Sequence, residues 1–205
     1  AQATLIMSCD NTNTPGTPEN TSGGIALPAD YPSQYTWALD VKGGPVTLRP
    51  IRPDDDEAML KMFQCFSLET IYQRFFSYVT MTPVRVKRLT NIDYKKQMAL
   101  VAEGEENGEK VLMGVARYNT PPDCVNEAEM AIVVGDPWQS RGLGTRMLYH
   151  LLRVGRAEGF AKLFGLVHYD NRAVPRLFEK LGQKHHVCDN GTEWRYEVLP
   201  SEVLD

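Results

Sequence analysis

The sequence predicts a single α/β domain built on a mixed, mostly antiparallel sheet flanked by helices. Short apolar runs typical of strands are separated by longer stretches in which apolar residues recur every three or four positions, as in helices. The elements follow the order strand, helices, three strands, helix, strand, helix and hairpin, which differs from the regular alternation of a doubly wound Rossmann fold. With 205 residues, 42% of them hydrophobic, the chain can fill one core.

The first thirty residues differ in composition from the rest of the chain. Residues 8–30 are rich in Asn, Thr, Ser, Pro and Gly and contain few large apolar side chains. Burial of so little apolar surface does not offset the entropy lost on ordering. We therefore predict a flexible tail or linker over residues 1–30 and one folded domain over residues 31–205.

The first half of the predicted domain contains one strand and three helices. Residues 46–51 have the pattern of a strand, and Pro50 indicates a sheet edge or a strand end. The acidic run of residues 54–57 favours a helix start, because carboxylates stabilise the positive end of the helix dipole. A short helix is predicted over residues 68–76 and another from about Pro83.

The second half is predicted to continue the sheet through consecutive strands. Residues 98–102 and 111–118 flank a polar, glycine-containing turn over residues 103–109, which predicts a hairpin. Residues 129–134 are almost wholly apolar, as expected for a strand covered on both faces. The remaining predicted elements are a helix over residues 142–158, a strand over 162–167, a helix over 171–181 closed by Gly182, and two strands around His186 and Trp194.

Charge and composition argue against several classes of function. The formal net charge of -4 gives no basic field for a phosphate backbone, so nucleic acid is not an expected partner. No apolar run approaches the roughly 18 residues of a membrane span, so no membrane association is expected. The four cysteines form no CxxC pair, and the adjacent His185 and His186 lack a third ligand. We therefore expect no metal and a reduced, cytoplasmic setting.

The stretch Gln-Ser-Arg-Gly-Leu-Gly, residues 139–144, joins a predicted buried strand to a long amphipathic helix. Glycines permit a tight turn and the close approach of a ligand to the backbone. The first amides of a helix lack intrahelical partners and lie at the positive end of its dipole, which suits a phosphate or pyrophosphate. The spacing matches neither the dinucleotide GxGxxG nor a GK[ST] loop. Taken alone, the spacing is compatible with a phosphate site, to which Arg141 and Arg146 could add charge, or with a plain turn.

In a wider context, this stretch carries a family resemblance. Gln-X-X-Gly-X-Gly after an apolar strand, with Asn171 opening a later helix and Leu-Gly at its end, resembles the acetyl-CoA site of the GNAT superfamily of N-acetyltransferases. The segments GGPVTLRPIRPDDDEAM, FSLETIYQRFF and AEMAIVV are similar to the GNAT domain of Pat-like bacterial protein lysine acetyltransferases. The likeness covers about residues 31–198.

The resemblance implies a GNAT fold with splayed central strands and acetyl-CoA as co-substrate. It also implies a protein lysine as acceptor, with acyl-CoA synthetases among the candidate substrates. Many Pat-like proteins carry a fused synthetase-like or cyclic-nucleotide-binding region, so a fused domain is a further expectation. The alternatives are a small-molecule amine N-acetyltransferase and a non-catalytic module that senses acetyl-CoA.

The resemblance further implies which residues bind the cofactor. Ile132, Val133 and Val134 would pair with the pantetheine arm as though it were an added strand. The pyrophosphate would lie on the amides of residues 139–145, and Asn171 would hydrogen-bond the pantetheine arm. The predicted cofactor-binding set is Ile132, Val133, Val134, Gln139, Ser140, Arg141, Gly142, Leu143, Gly144, Thr145 and Asn171.

Acetyl transfer requires a base, because a lysine ammonium with a pKa of about 10.4 must lose a proton before it can attack a thioester. Glu129, which begins the apolar strand, matches the general base of Pat-like enzymes, acting directly or through water. We expect partial burial to raise its pKa. From its spacing alone, Glu129 would be a strand-end carboxylate in solvent. Glu127 would share its strand face and is the rival base, or else a solvated loop acid.

The general acid of the family has no counterpart in the sequence. Many GNAT enzymes place a tyrosine late in the helix that follows the Asn, and here that position holds Phe178. A thiol with a pKa of about 8.5 is already a tolerable leaving group, so transfer does not require this acid. His168, at the end of a predicted strand, is a candidate proton relay, although packing or solvation is the commoner role of such a histidine.

Overall fold

A computed structural model describes residues 27–182, 185–189, 191 and 193–203. Most of the predicted tail lies outside these residues, so its division from the domain stays a prediction. The strands are β1 (Trp37–Val41), β2 (Gly44–Pro50), β3 (Gln97–Glu106), β4 (Glu109–Asn119), β5 (Glu127–Val134), β6 (Lys162–Val167), β7 (His186–Asp189) and β8 (Trp194–Val198). The helices are α1 (Asp56–Gln64), α2 (Leu68–Phe75), α3 (Pro83–Thr90), α4 (Leu143–Ala157) and α5 (Ala173–Leu181).

The described residues form one sheet of eight strands in the order β1-β2-β3-β4-β5-β6-β8-β7. Only β5 and β6 pair in parallel within this sheet, and the other neighbours are antiparallel. Helix α4 packs on β4 and β5, while α1 packs on β4 and α2 on β5. The predicted class, a mixed and mostly antiparallel sheet flanked by helices, is confirmed.

Two strand predictions need correction. Strand β1 was not predicted, because it is a short edge strand in which only Leu39 is fully buried, and an edge needs little apolar alternation. The polar stretch over residues 103–109 is mostly strand, since β3 extends to Glu106 and β4 begins at Glu109. The turn consists of Asn107 and Gly108, with φ values of 52° and 82°. Such a two-residue turn matches the twist of a hairpin, whose solvent-facing end needs no apolar residues.

The two central parallel strands separate soon after they meet. Strands β5 and β6 pair only where residues 127–129 lie opposite residues 162–164. Both strands continue, to Val134 and Val167, but among the described residues they do not pair with each other beyond this point. The splayed central strands implied by the resemblance are therefore confirmed, and they leave a gap between β5 and β6.

Candidate active site

The gap between β5 and β6 has two different faces, which the strand register identifies. Gly114 of β4 lies opposite Val134, and a Cβ atom at Gly114 would lie 3.2 Å from the sulfur of Met147 on α4. Directly opposed residues project to the same face of a sheet, so the even-numbered residues of β5 face α4. Glu129, Ala131 and Val133 consequently project to the opposite face.

The same alternation applies to β6. A Cβ atom at Gly155 of α4 would lie 2.8 Å from Leu163, so Leu163 faces α4. Phe164, directly opposite Glu129, projects to the other face, as does His168 just beyond the strand. The ring centroid of His168 lies 5.4 Å from that of Tyr72 on α2. We call the two sides the α4 face and the α2 face.

On the α4 face, the loop after β5 leads into the first turn of α4. Gly142 precedes the helix with a φ of 85°, a left-handed conformation that glycine adopts without steric cost. Gln139 donates from Nε2 to the carbonyl of Val134 at 2.9 Å and to Asp136 at 3.0 Å. Asp136 also accepts from the backbone nitrogen of Ser67, which caps α2. These bonds hold the loop between the end of β5 and the start of α2.

A cleft of about 190 Å³ lies between the start of α4 and α5. The lining brings together six of the predicted cofactor residues, namely Val134, Gln139, Ser140, Gly142, Gly144 and Thr145. Arg176 and Lys180 of α5 also line it, and sequence reasoning missed both. Two cations four residues apart share one face of a helix, which was the available signal. Amides at a helix start and two cations make this cleft suited to phosphate groups.

Two predicted cofactor residues have side chains directed elsewhere. The guanidinium of Arg141 donates to the carbonyl oxygen of Pro137 at 2.8 Å and lies against Gly43 in the β1–β2 turn. Leu143 is only 2% exposed and belongs to the core. Both line a second cavity, of about 260 Å³, between the loop and the β1–β2 turn. Only the backbone groups of Arg141 and Leu143 are therefore available for the predicted cofactor binding.

The other predicted cofactor residues lie beside the cleft or along the gap. The carbonyl oxygen of the Asn171 side chain accepts from the backbone nitrogens of Ala173 and Val174, at 3.0 and 3.2 Å. Asn171 therefore stabilises the start of α5, next to the cleft. Ile132 faces α4 and Val133 faces α2, and the β6-facing edge of β5 at these positions is not paired within the described structure.

The predicted base, Glu129, lies at the last residue pair before β5 and β6 separate. It is opposite Asn119 on β4 and Phe164 on β6, and it is only 6% exposed. The sequence-only interpretation of a solvated strand-end carboxylate is therefore wrong. Arg117, also buried, lies diagonally across from Glu129 on the same face, and such diagonal neighbours are about 7–8 Å apart.

The rival base, Glu127, takes part in an ion-pair network. Its carboxylate lies 3.4 Å from Lys162 and 3.6 Å from Arg195. Lys162 and Arg195 also contact Glu197, at 3.3 and 2.7 Å. Glu127 is thus the first residue of a strand and not a loop acid, and two cations compensate its charge.

Aromatic rings gather on the α2 face, next to the open end of the gap. We call this set the aromatic cluster, and it consists of Tyr72, Phe76, Tyr78 and His168. The ring of Phe76 lies 5.6 Å from His168, and the rings of Tyr72 and Tyr78 are 5.4 Å apart. Nδ1 of His168 accepts from the backbone nitrogen of Asp170 at 3.2 Å. His168 thus packs among these rings, which sequence reasoning did not identify as a group.

Phe76 adopts an unusual backbone conformation for its residue type. It ends α2 in the left-handed region, with a φ of 51°. A glycine is the common residue at this position, because a side chain there costs roughly 1–2 kcal/mol. Phe178, at the position that the GNAT resemblance assigns to a general acid, is fully buried and stacks on Tyr196.

Metal ligands are not grouped in the part of the chain that the structure describes, where no three His, Cys, Asp or Glu side chains come together. None of the helices in these residues has the length and apolar character of a membrane span.

Comparisons with known sequences agree on one family. The model of the acetyltransferase (GNAT) family matches residues 65–183. An acetyltransferase from Pseudomonas aeruginosa is 31% identical over 167 residues, which are 80% of this chain and 88% of that protein. Acetyltransferase Pat from Mycolicibacterium smegmatis is 30% identical over 135 residues, which are 66% of this chain but 40% of that longer protein.

Comparisons with solved structures agree with the sequence matches. The GNAT domain of S. lividans PAT has a TM-score of 0.74 at 26% identity, covering 83% of this chain and 99% of that one. A putative acetyltransferase from Salmonella typhimurium, solved with its cofactor acetyl-CoA, shares the fold with a TM-score of 0.59 at 19% identity. The match covers 77% of this chain and 95% of the Salmonella protein's chain. The chain therefore belongs to the GNAT family of acetyltransferases and is an acetyl-transferring enzyme.

Proposed function

We propose that this enzyme transfers acetyl from acetyl-CoA to the ε-amine of a protein lysine, with Glu129 as general base. The observation that carries the proposal is the arrangement of the gap between β5 and β6. A cleft suited to phosphate groups opens on the α4 face, while a buried carboxylate projects to the α2 face. The two substrates would then meet in the gap from opposite sides, without a covalent enzyme intermediate.

The residues of the α4 face fit the chemical groups of acetyl-CoA. Amides at the start of α4 and the cations Arg176 and Lys180 would hold the pyrophosphate. The free edge of β5 over residues 130–134 would pair with the amide groups of the pantetheine arm, as an added strand does. Acetyl-CoA supplies the activated acetyl thioester. Asn171, at the start of α5, would contact the same arm.

In this proposal, Glu129 takes the proton that the amine has to lose. Its carboxylate would accept a proton from the lysine ammonium, directly or through one water molecule. The neutral nitrogen then attacks the thioester carbonyl, the C–S bond breaks, and the sulfur leaves as a thiolate. The nitrogen loses its second proton to solvent or to that thiolate as the amide forms. Phe178 has no proton to donate, so the thiolate would leave without help from that position. Glu127 is the weaker candidate because it lies at the first residue of β5, two residues away from the last pair before β5 and β6 separate.

The Pat-like resemblance and the rings on the α2 face support a protein lysine as acceptor. Aromatic faces attract ammonium groups and pack well against the methylene stem of a lysine. The aromatic cluster would therefore contact the acceptor side chain before it reaches Glu129. The proposal includes acyl-CoA synthetases as substrates. It also includes a further regulatory or synthetase-like domain, as the Pat-like resemblance implies. The match covers 40% of M. smegmatis Pat and 88% of the P. aeruginosa acetyltransferase.

The test is acetylation of a panel of acyl-CoA synthetases, followed by mass spectrometry for acetyl-lysine. Each reaction is run with the wild-type enzyme, with a Glu129→Gln variant and without enzyme, because acetyl-CoA modifies lysines slowly by itself. We expect acetylation of a specific lysine by the wild type alone. If only free small amines are acetylated, the protein-substrate proposal is wrong.

A further inference from the structure

The turn between β1 and β2 contacts the cofactor loop through Arg141. The backbone nitrogen of Lys42 donates to the carbonyl oxygen of Arg141 at 3.3 Å. From the same residue, the guanidinium extends across the turn and donates to the carbonyl oxygen of Pro137 at 2.8 Å. Arg141 thus joins two points of the loop to a hairpin that is distant in sequence.

Gly43 provides the surface on which the guanidinium lies. A Cβ atom at this position would lie 2.6 Å from Nη1 of Arg141, closer than nonbonded atoms approach. Its backbone φ of 117° is also unfavourable for any other residue. Neither the Arg141 side chain nor Gly43 lines the cleft between α4 and α5. Both line the separate cavity between the loop and the turn.

We propose that the β1–β2 turn is a positioning element of the cofactor site. In this proposal Arg141 fixes the loop against Gly43 and so orients the amides at the start of α4, without contacting acetyl-CoA itself. Amides that are already held in place bind a ligand more tightly, because the loop loses less conformational entropy on binding. This inference rests on the proposed binding of the pyrophosphate to those amides.

The neighbouring Gly44 supplies a matched control for Gly43. Its φ of 124° is nearly the same, so an alanine causes similar backbone strain at either position. A Cβ atom at Gly44, however, would have no atom of the described structure within 4 Å. Comparing Gly43→Ala with Gly44→Ala therefore isolates the contact with Arg141 from the strain of the turn.

The experiment measures the Kd of acetyl-CoA by calorimetry and the acetyl-CoA KM and kcat of each variant. We expect Gly43→Ala and Arg141→Ala each to raise Kd and KM about 10-fold, with kcat at saturation unchanged. Arg141→Lys keeps the charge but loses the planar fork, and we expect it to resemble Arg141→Ala. Gly44→Ala should stay within about twofold of the wild type. In an Arg141→Ala background, Gly43→Ala should raise the Kd of acetyl-CoA no more than Gly44→Ala does.

Two results would overturn the inference. If Gly43→Ala matches Gly44→Ala while Arg141→Ala still weakens binding and Arg141→Lys restores it, Arg141 contacts the cofactor directly. If Arg141→Ala binds acetyl-CoA as well as the wild type, the turn does not position the loop. Should Gly43→Ala fail to fold, the two Arg141 variants decide between these results. Failure of the proposed cofactor site would appear differently, as a wild type that binds no acetyl-CoA.

Discussion

The two faces of the gap between β5 and β6 are built in different ways. The cleft on the α4 face is lined mainly by one continuous stretch, residues 134–145, and completed by α5. On the α2 face, by contrast, side chains come from separate elements, with Glu129 on β5, Phe76 at the end of α2 and His168 beyond β6. The first face depends on chain conformation, and the second depends on which side chains the fold brings together.

This difference predicts which substitutions affect which substrate. On the α4 face, a change should weaken acetyl-CoA binding while leaving the chemical step intact. A change on the α2 face should alter the chemistry or the affinity for the acceptor while leaving acetyl-CoA binding intact. The substitutions below are ordered from the largest expected effect to the smallest.

Glu129→Gln should have the largest effect. Loss of a general base typically slows a reaction about 10²- to 10⁴-fold, and we expect kcat to fall within that range. The Kd of acetyl-CoA should remain within about twofold of the wild type, because Glu129 projects away from the α4 face. Rapid-quench assays and calorimetry measure the two quantities. Glu127→Gln is the control, and a larger loss of kcat in that variant would assign the base to Glu127.

The cations of the cleft should have the next largest effect. We expect the double variant Arg176→Ala, Lys180→Ala to raise the Kd of acetyl-CoA about 10-fold or more at low salt, because two charges that line the proposed phosphate site are lost. Its kcat at saturating acetyl-CoA should be unchanged. Calorimetry at two salt concentrations checks this, and the salt dependence should be weaker than in the wild type.

The matched control for this variant removes two cations elsewhere. Arg88 and Lys95 are exposed and do not line the cleft, so their replacement by alanine gives the same change in net charge. Equal weakening in both double variants would mean that net charge, and not the cleft, determines acetyl-CoA binding.

Phe76→Gly tests the aromatic cluster. The substitution removes a ring beside His168, and it also relieves the strain of a left-handed backbone, which costs roughly 1–2 kcal/mol. We expect the KM of the acceptor to rise about 5-fold, while the acetyl-CoA KM is unchanged. Phe76→Tyr keeps the ring and should keep the acceptor KM. If Phe76→Gly leaves the acceptor KM unchanged, the aromatic cluster does not contribute to acceptor binding.

The smallest effect concerns the packing behind the α4 face. His150 of α4 is only 6% exposed, and its ring lies 4.3 Å from that of Trp37 on β1. Burial, together with the nearby Arg153 and Arg146, lowers the pKa of His150 to about 4. Between that value and the unfolded pKa of about 6.5, only the unfolded chain binds the proton. Stability should therefore fall as the pH falls through this interval.

This loss of stability has a limited size and a simple control. One proton bound only by the unfolded chain changes the free energy of unfolding by at most about 1.4 kcal/mol per pH unit. Urea unfolding at pH 7.5 and pH 5 measures it, and His150→Phe should lose less stability over this interval than the wild type does. An equal loss in both proteins would assign the pH dependence to other groups.

The α4 face was largely predictable from the sequence, because its residues are adjacent in the chain. The apolar run of β5 and the glycine turn at residues 139–144 identified the loop before α4. The direction of the Arg141 side chain was not predictable, because spacing does not say which side of a loop a long side chain takes. β1, on which that direction depends, lacks the apolar alternation that marks a strand.

The α2 face was less predictable, because its residues are distant from one another in the chain. Tyr72 and Phe76 are one helical turn apart in the sequence, but their proximity to His168 depends on the packing of α2 beside the end of β6. The burial of Glu129 likewise depends on neighbouring strands that are distant in sequence. Pairing between elements, and not local pattern, sets these features.

The most direct test of the two-sided gap is a crystal structure with a bisubstrate analogue, in which CoA is joined through an acetyl bridge to the ε-nitrogen of a lysine peptide. We predict that the pyrophosphate lies on the amides at the start of α4, and that the lysine stem enters from the α2 face past Phe76. The ε-nitrogen should lie about 3 Å from the Glu129 carboxylate, or within reach of it through one water molecule. A lysine stem that enters from the α4 face, or that lies far from Glu129, would contradict the account.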